Sequence, residues 1–461
     1  MSRLIVAANG ASVGTLDVEN GRWTFAYAAD WTAYALSPSF PLATREFKDT
    51  ANTKPVEWFF ENLLPEGRLR ELIALRDRID PQDTWALLIR HGRDTAGALS
   101  LMPEGIETEA REQLVPLSRE ALQKKIKASR ARNLPLMASW DEVRMSLAGA
   151  QEKLGLRIDA NGEMFLPEGS AASTHIVKPE NASADFPYCP ANEFFCMRLA
   201  HELKIPVPEV GLLHLPEPLY VIERFDREPL QKNADKETAQ TFRRIHQIDL
   251  CQALGVAPSK KYESEGGLGL HHLFEVLRGS FIDRPIVAAN AVVQWIAFNY
   301  LVGNLDAHAK NIAFLMRSQK AAVAPFYDML CVEAYLPRQT MSMSIAGENK
   351  PGWVEGQHWD AMAYEAGVAP RLVRGVLSRM SAELPDAISK VIGDKRLLPV
   401  ERDFLRAKVL PVIEERRGFV AGALKSRQLT INELLAMREM DSSVMERLTK
   451  TSMTVFQRRF K

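Results

Sequence analysis

In Gly303-Asn304-Leu305-Asp306-Ala307-His308-Ala309-Lys310-Asn311 a carboxylate is followed five residues later by an amide. Phosphoryl transfer uses that spacing: the carboxylate orients an attacking hydroxyl and accepts its proton, and the amide oxygen helps hold Mg²⁺. Asp306 and Asn311 are the candidates. A second metal carboxylate is expected after the next hairpin, and Pro325-Phe326-Tyr327-Asp328-Met329-Leu330 supplies Asp328. An aspartate among such apolar neighbours is either desolvated at a cost or compensated by a positive group, and Mg²⁺ is such a group. Nucleotide phosphates also need a cation from a strand end, held by a glutamate on the next helix. Lys178 in His175-Ile176-Val177-Lys178-Pro179 and Glu193 in Asn192-Glu193-Phe194-Phe195 stand in that order. Ahead of them, Ser146-Leu147-Ala148-Gly149-Ala150-Gln151-Glu152-Lys153 is rich in small residues, so its backbone N–H groups could approach phosphate oxygens.

Each fragment alone has a plainer reading. Residues 303–311 also suit a polar connector with an Asx turn, Asp328 a helix cap, and Lys178 and Glu193 ordinary surface charges. Residues 146–153 match neither G-x-G-x-x-G nor a Walker A loop and also suit a tight turn with Gly149 at positive φ. Their joint order along the chain is what favours phosphoryl transfer.

The elements that must position these groups follow from periodicity. Leu4-Ile5-Val6, Gly14-Thr15-Leu16 and Trp23-Thr24-Phe25-Ala26-Tyr27 read as strands joined by Asn9-Gly10 and Asn20-Gly21, the dipeptides of type I′ hairpins. Helical pieces are expected at 56–60, 68–76 and 82–91, punctuated by Pro65, Gly67 and Asp80-Pro81. They form a small cap rather than a helix-turn-helix, since no basic recognition face is present. The polar stretch 103–140 reads as an interdomain connection. Strands return at 154–158, 164–166 and 175–178, and a helix follows at about 191–204 with Phe195, Leu199 and Leu203 on one face. Residues 220–225 read as a strand, and the remainder is mostly helical. Residues 286–302 are apolar on nearly every side, as in a helix buried within a large lobe.

The composition is that of an ordinary globular protein: 461 residues, 46% hydrophobic and 25% charged, with 58 basic residues balancing 58 acidic ones. Zero net charge excludes a free-standing nucleic-acid coat, which needs concentrated basic surface. The basic tail Gln457-Arg458-Arg459-Phe460-Lys461 reads as a solvated terminus. Cys189, Cys196, Cys251 and Cys331 form no C-x-x-C pair and suit neither a zinc site nor a disulfide framework, so a reduced, cytoplasmic protein is expected. No signal-length apolar core or membrane span is expected.

Taken together, Ser146–Lys153, His175–Pro179, Glu223-Arg224-Phe225-Asp226-Arg227 and Gln247–Gly255 resemble the HipA family. So do Lys261-Tyr262-Glu263, Asp306–Asn311 and Pro325–Asp328. Gly14-Thr15-Leu16, Asn62-Leu63-Leu64-Pro65-Glu66-Gly67-Arg68 and Gly97-Ala98-Leu99-Ser100-Leu101 resemble that family's N-terminal subdomain. The resemblance implies an α+β, two-lobed protein-kinase-like fold with an additional N-terminal β-rich subdomain. Its parts would be 1–105, a sheet lobe at 106–230 with phosphate loop and hinge, and a helical lobe at 231–461. It implies a toxin kinase using ATP and Mg²⁺ to phosphorylate serine or threonine of a protein substrate; family members target aminoacyl-tRNA synthetases. Its partner would be a small DNA-binding antitoxin, with DNA reached only through that antitoxin and no membrane contact.

Residue by residue, Asp306 would be the catalytic base, Asn311 and Asp328 the metal ligands, and Glu193 the orienter of Lys178. Ala148, Gly149, Ala150, Gln151, Glu152 and Lys153 would form the phosphate loop. Lys178, Glu223, Arg224, Phe225, His308, Lys310 and Tyr327 would complete the nucleotide site. Ser146 is similar to the family's autophosphorylated serine, and a phosphate there adds roughly −2 charge beside the loop. Leu305 stands where eukaryotic kinases carry arginine before the catalytic aspartate, so control through an activation-loop phosphate is not expected. Two other readings remain at this stage: a catalytically weak kinase-fold partner or corepressor of an antitoxin, and a small-molecule kinase.

Overall fold

The computed structural model describes residues 2–105, 112–132, 136, 149, 151–181, 183–230, 241–337, 339–430 and 432–433. The first sheet is built by the two Asn-Gly turns. Asn9 and Gly10 take φ of 49° and 83°, Asn20 and Gly21 take 51° and 75°, and both pairs close hairpins with the positive φ that type I′ demands. Strands Ser2–Ala8, Ala11–Glu19 and Arg22–Tyr27 therefore pair antiparallel, extended by Glu46–Lys48 on one edge and Leu99–Pro103 on the other. Alternation puts Phe25 and Tyr27 inside, and a register shift opposite Val6 and Ala7 lets Val13 join Leu16 in the core. Helices Pro55–Glu61, Gly67–Asp77 and Thr84–His91 follow it, with Phe59, Phe60, Leu87 and Leu88 buried in the same core.

The second sheet has six antiparallel strands in the order Val210–His214, Pro218–Glu223, His175–Pro179, Leu154–Ile158, Met164–Glu168, Gln113–Pro116. Its last strand and helix Arg119–Ala131 come from the stretch expected to be a connection. The helix is polar on most faces, but Leu122 and Ile126, one turn apart, are buried with Leu154, Leu156 and Val177 of the sheet. The segment is thus part of the sheet lobe. Helix Cys189–Glu202 follows the lysine-bearing strand, with Phe194, Phe195, Met197 and Leu199 buried.

The large lobe is helical, around Leu270–Arg278, Pro285–Val302, Gly356–Glu365, Pro370–Ile392 and Leu410–Lys425. Helix Pro285–Val302 is long and apolar enough to cross a membrane, but 67% of it is buried inside the protein. Its uniform apolarity is that of a core helix, with Trp295, Phe298 and Leu301 sealed. The four cysteines are free and buried. A three-stranded sheet, His246–Asp249, Ala313–Met316 and Ala321–Val323, carries the loops that line the cleft between the lobes.

Three subdomains share one continuous core, from Leu4 through Phe194 to Val420. A buried polar network also fastens the first sheet to the hinge after strand Pro218–Glu223. Asp226 accepts from Arg224 and from the Gly97 N–H at 2.7 Å, while Arg227 reaches Asp94 at 3.1 Å and the Gly97 carbonyl at 2.9 Å. Gly97 sits at φ 79°, and an added Cβ would stand 2.7 Å from the Gln247 nitrogen, so the close approach requires glycine.

Candidate active site

Helix Pro285–Val302 ends at Gly303, whose φ of 68° reverses the chain into the loop 304–311. A Cβ there would meet Val412 at 2.5 Å. Inside the loop, Asn304 donates to Asn299 Oδ1 at 2.7 Å, and its Oδ1 accepts the Asp306 N–H at 3.2 Å. Ser342 clamps the Leu305 carbonyl with its N–H at 2.9 Å and its hydroxyl at 2.8 Å. The polar groups of the loop are thereby fixed, and the Asp306 side chain faces the cleft.

That cleft is a cavity of about 690 Å³, lined among others by Lys178, Glu193, Asp306, His308, Asn311 and Asp328. Strand His175–Pro179 delivers Lys178, and helix Cys189–Glu202 delivers Glu193 beneath it. The Lys178 ammonium donates to both Glu193 oxygens, at 2.8 and 3.0 Å, and to Asp328 Oδ1 at 2.5 Å. The Asn311 amide donates to Asp328 Oδ2 at 3.0 Å. Asp328 takes φ 59°, a left-handed conformation that a side chain adopts at a cost and that concentrates at functional sites.

Electrostatics divides these carboxyls. Burial alone would raise Asp328, but the Lys178 and Lys153 ammoniums outweigh it and hold the group well below the carboxylate range. Burial would lower Lys178, but Asp328 and Glu193 keep it protonated. Glu193 is pushed up to about 7 by burial, against the pull of Lys178. Asp306 is pushed up to about 6 by burial and by the Asp328 charge, while the Tyr262 hydroxyl, donating at 3.1 Å, pulls it back. A carboxyl near 6 is ionised at neutral pH and basic enough to take a proton from a hydroxyl. His308 is pushed down to about 4 by burial and Lys261, so it is neutral, and its buried Nδ1 has no partner among the described residues.

The donor set suits a hard cation. Asp328 offers carboxylate oxygens and stays ionised, and Asn311 adds an amide oxygen beside the nitrogen it gives to Asp328. No cluster of three or more His, Cys, Asp or Glu forms a metal cage among the described residues. Mg²⁺ fits that arrangement, since it takes one or two carboxylates and fills the rest of its shell with water and phosphate oxygens. Ile176, Ile222, Phe225, Ala313 and Tyr327 also line the cavity with apolar surface that a flat base can cover, and the Phe225 and Tyr327 rings stand 5.5 Å apart.

Gly149, Gln151 and Lys153 of the small-residue segment also line the cavity; Gly149 takes φ 114°, and Lys153 is pushed down to about 8 by burial and the Lys178 charge. Ser146, Ala148 and Ala150 lie outside the described residues. Glu152 faces Arg130 at 3.9 Å. Glu223 lines the hinge, whereas the Arg224 guanidinium turns into the buried network with Asp226, Ser173 and the Thr95 carbonyl. Lys310 turns its ammonium to Asn62 Oδ1 at 2.6 Å and Asp249 Oδ2 at 2.7 Å.

Two family models cover the chain: the HipA N-terminal domain matches residues 4–102 and the HipA-like C-terminal domain residues 145–388. The chain belongs to the HipA family. Protein Y4mE of Sinorhizobium fredii is 36% identical over 80% of this chain and 87% of its own length. The serine/threonine-protein kinase toxin HipA of Shewanella oneidensis is 32% identical over 88% of this chain and 94% of that one. A Shewanella oneidensis HipA structure, solved with HipB and operator DNA, superposes with a TM-score of 0.76 at 30% identity, covering 92% of this chain and all of that one. The two-lobed α+β kinase fold with its extra N-terminal subdomain is therefore that of HipA.

Several HipA-family phrases in the sequence carried no role until folded. Asn62, Glu66, Asp249, Lys261 and Tyr262 all line the same cavity, contributed by parts of the chain nearly 200 residues apart. The signal that marks them is membership of motif phrases without an assigned task.

Proposed function

We propose that this HipA-family kinase is an ATP- and Mg²⁺-dependent serine/threonine protein kinase toxin of the cytoplasm. The observation that carries the reading is the convergence of Asp306, Asn311 and Asp328 with the Lys178–Glu193 pair in one cleft. Lys178 would bind the nucleotide phosphates while Glu193 keeps its ammonium in place. Asn311 and Asp328 would hold Mg²⁺, which when bound neutralises charge on the transferring phosphoryl group. Asp306 orients the acceptor hydroxyl and takes its proton as the γ-phosphorus–oxygen bond to ADP breaks and the new phosphoester forms. The apolar surface near Phe225 and Tyr327 would take the adenine, and His308, neutral and unpartnered at Nδ1, is available to the ribose or phosphates.

The family relation supports a small DNA-binding antitoxin as partner, with DNA met through it, and a protein substrate such as an aminoacyl-tRNA synthetase. Ser146, in the phosphate-loop segment, is the proposed site of self-modification. Growth arrest would follow from loss of the phosphorylated target. The test is phosphopeptide mass spectrometry of cells expressing the wild type or Asp306→Gln. The variant is expected to lose transfer by about 10²–10⁴-fold, the usual share of a positioned base, and to lose growth arrest with it. Full activity in that variant overturns the reading. Ser146→Ala is expected to keep transfer to a protein while losing self-modification; phosphate retained on that chain would point to another site.

A further inference from the structure

Glu66 belongs to the N-terminal subdomain, immediately before helix Gly67–Asp77, yet its carboxylate lies inside the kinase cleft. Its Oε2 pairs with the Lys261 ammonium at 2.8 Å, and its Oε1 stands 3.5 Å from the Lys310 ammonium. Its backbone N–H donates to the Gly149 carbonyl at 3.2 Å. Lys261 precedes Tyr262, whose hydroxyl holds Asp306 Oδ1 at 3.1 Å. Lys310 precedes Asn311 and is also gripped by Asn62, four residues before Glu66, at 2.6 Å. One carboxylate therefore braces both ends of the loop 306–311.

We propose that Glu66, assisted by Asn62, is a positioning residue through which the N-terminal subdomain sets Asp306 and Asn311 for transfer. This deepens the kinase reading and rests on it. The physical case is charge balance in a confined space. Lys261 and Lys310 are both largely buried, with 13% and 5% of their side chains exposed. Without Glu66, Lys261 keeps Asp306 within its field and would draw that carboxylate off the acceptor. Lys310 would keep Asn62 and Asp249 but lose one of its two flanking carboxylates. A buried carboxylate that served packing alone would be an expensive choice, since an apolar group of the same volume avoids the desolvation.

The experiment uses the full chain and radiolabelled ATP, following phosphate transfer to the chain itself across an ATP titration, with a fluorescent ATP analogue to measure nucleotide affinity. Glu66→Ala is expected to lower the rate at saturating ATP by about tenfold to a hundredfold, as a displaced reacting group does, with KM for ATP changed less than about twofold. Glu66→Gln, which keeps an acceptor for Lys261, is expected to recover part of the loss. Tyr262→Phe should lower the rate in the same manner, and the Glu66→Gln, Tyr262→Phe double variant should lose less than the two single effects combined. A rate unchanged in Glu66→Gln and Glu66→Ala, or a rise in KM matching the loss, overturns the proposal. If Glu66→Ala fails to bind the analogue, Glu66→Gln and Tyr262→Phe decide. Asp306→Asn is run in parallel: activity there defeats the kinase reading itself, while an inactive Asp306→Asn beside fully active Glu66→Gln and Glu66→Ala defeats only the positioning role.

Discussion

Two buried lysines flank the candidate site, and they are built for different ends. Lys178 holds Glu193 and Asp328, and Lys310 holds Asn62 and Asp249 with Glu66 nearby. Both ammoniums are kept protonated by carboxylates against the cost of burial. The difference lies in the partners. Asp328 leaves 35% of its side chain open to the cleft and sits at a left-handed φ, whereas Asp249 leaves only 10% and Glu66 13% exposed. On the proposed reading the Lys178 cluster exchanges a partner for phosphate or metal, while the Lys310 cluster stays tied across subdomains. If that reading holds, similar chemistry serves a replaceable site in one place and a permanent brace in the other.

Removing each ammonium tests this most strongly. Lys178→Met is expected to lower phosphate transfer by about 10²–10³-fold, the cost of losing a preorganised cation, while the fold survives. Asp328 can be met by water in the open cleft, and Glu193, already pushed up to about 7, can take a proton. Lys310→Met leaves Asp249 and Glu66 buried without their shared cation and is expected to destabilise the fold by about 3–5 kcal/mol. Denaturant melts and ATP-analogue binding on both variants check the pair. Equal destabilisation by the two substitutions would erase the distinction.

A smaller effect separates the two clusters by pH. Asp306 must be ionised to act, so transfer at saturating ATP is expected to fall as pH drops through about 6, with little change from 7 to 8. The linkage to stability has the opposite sense. A carboxyl raised from about 4 to about 6 binds its proton more tightly when folded, so its contribution is full below about 4 and is lost as pH rises through 6. On the Lys310 side the two carboxylates diverge: burial raises Asp249, which lends a limb of the same sense, whereas Lys310 and Lys261 outweigh burial and hold Glu66 below its usual value, so its contribution is present at neutral pH and lost as pH falls. Rate and melting profiles against pH, measured with and without nucleotide, distinguish a limb due to Asp306 from acid unfolding.

The same contrast explains what could be read before folding. Local rules marked the Asn-Gly hairpins, the strand carrying Lys178, the helix carrying Glu193 and the all-apolar helix before the catalytic loop, because each is written in adjacent residues. Asp306, Asn311 and Asp328 stood out because their spacing has a chemical meaning, and family phrases joined them into one reading. The Lys310 brace had no such signature. Asn62 lies 248 positions before Lys310, and no periodicity links an amide to so distant an ammonium. The edge strand Gln113–Pro116 was missed for another reason: with four half-buried or exposed residues it lacks the alternation that marks a strand.

The smallest effect probes how the brace is shared between side chain and backbone. Tyr327 packs against Phe225 in the cleft, and its hydroxyl donates to the Lys310 carbonyl at 2.8 Å. Tyr327→Phe keeps the ring and removes only that bond. If the Lys310 ammonium carries the brace, the variant should lose about 1 kcal/mol, the ordinary net contribution of one hydrogen bond, and leave the pH limb of transfer in place. Denaturant melting measures the first and the rate profile the second. A loss near that of Lys310→Met would instead move the brace from the ion pairs to the backbone of the catalytic loop, and the replaceable and permanent lysines would differ less than their partners suggest.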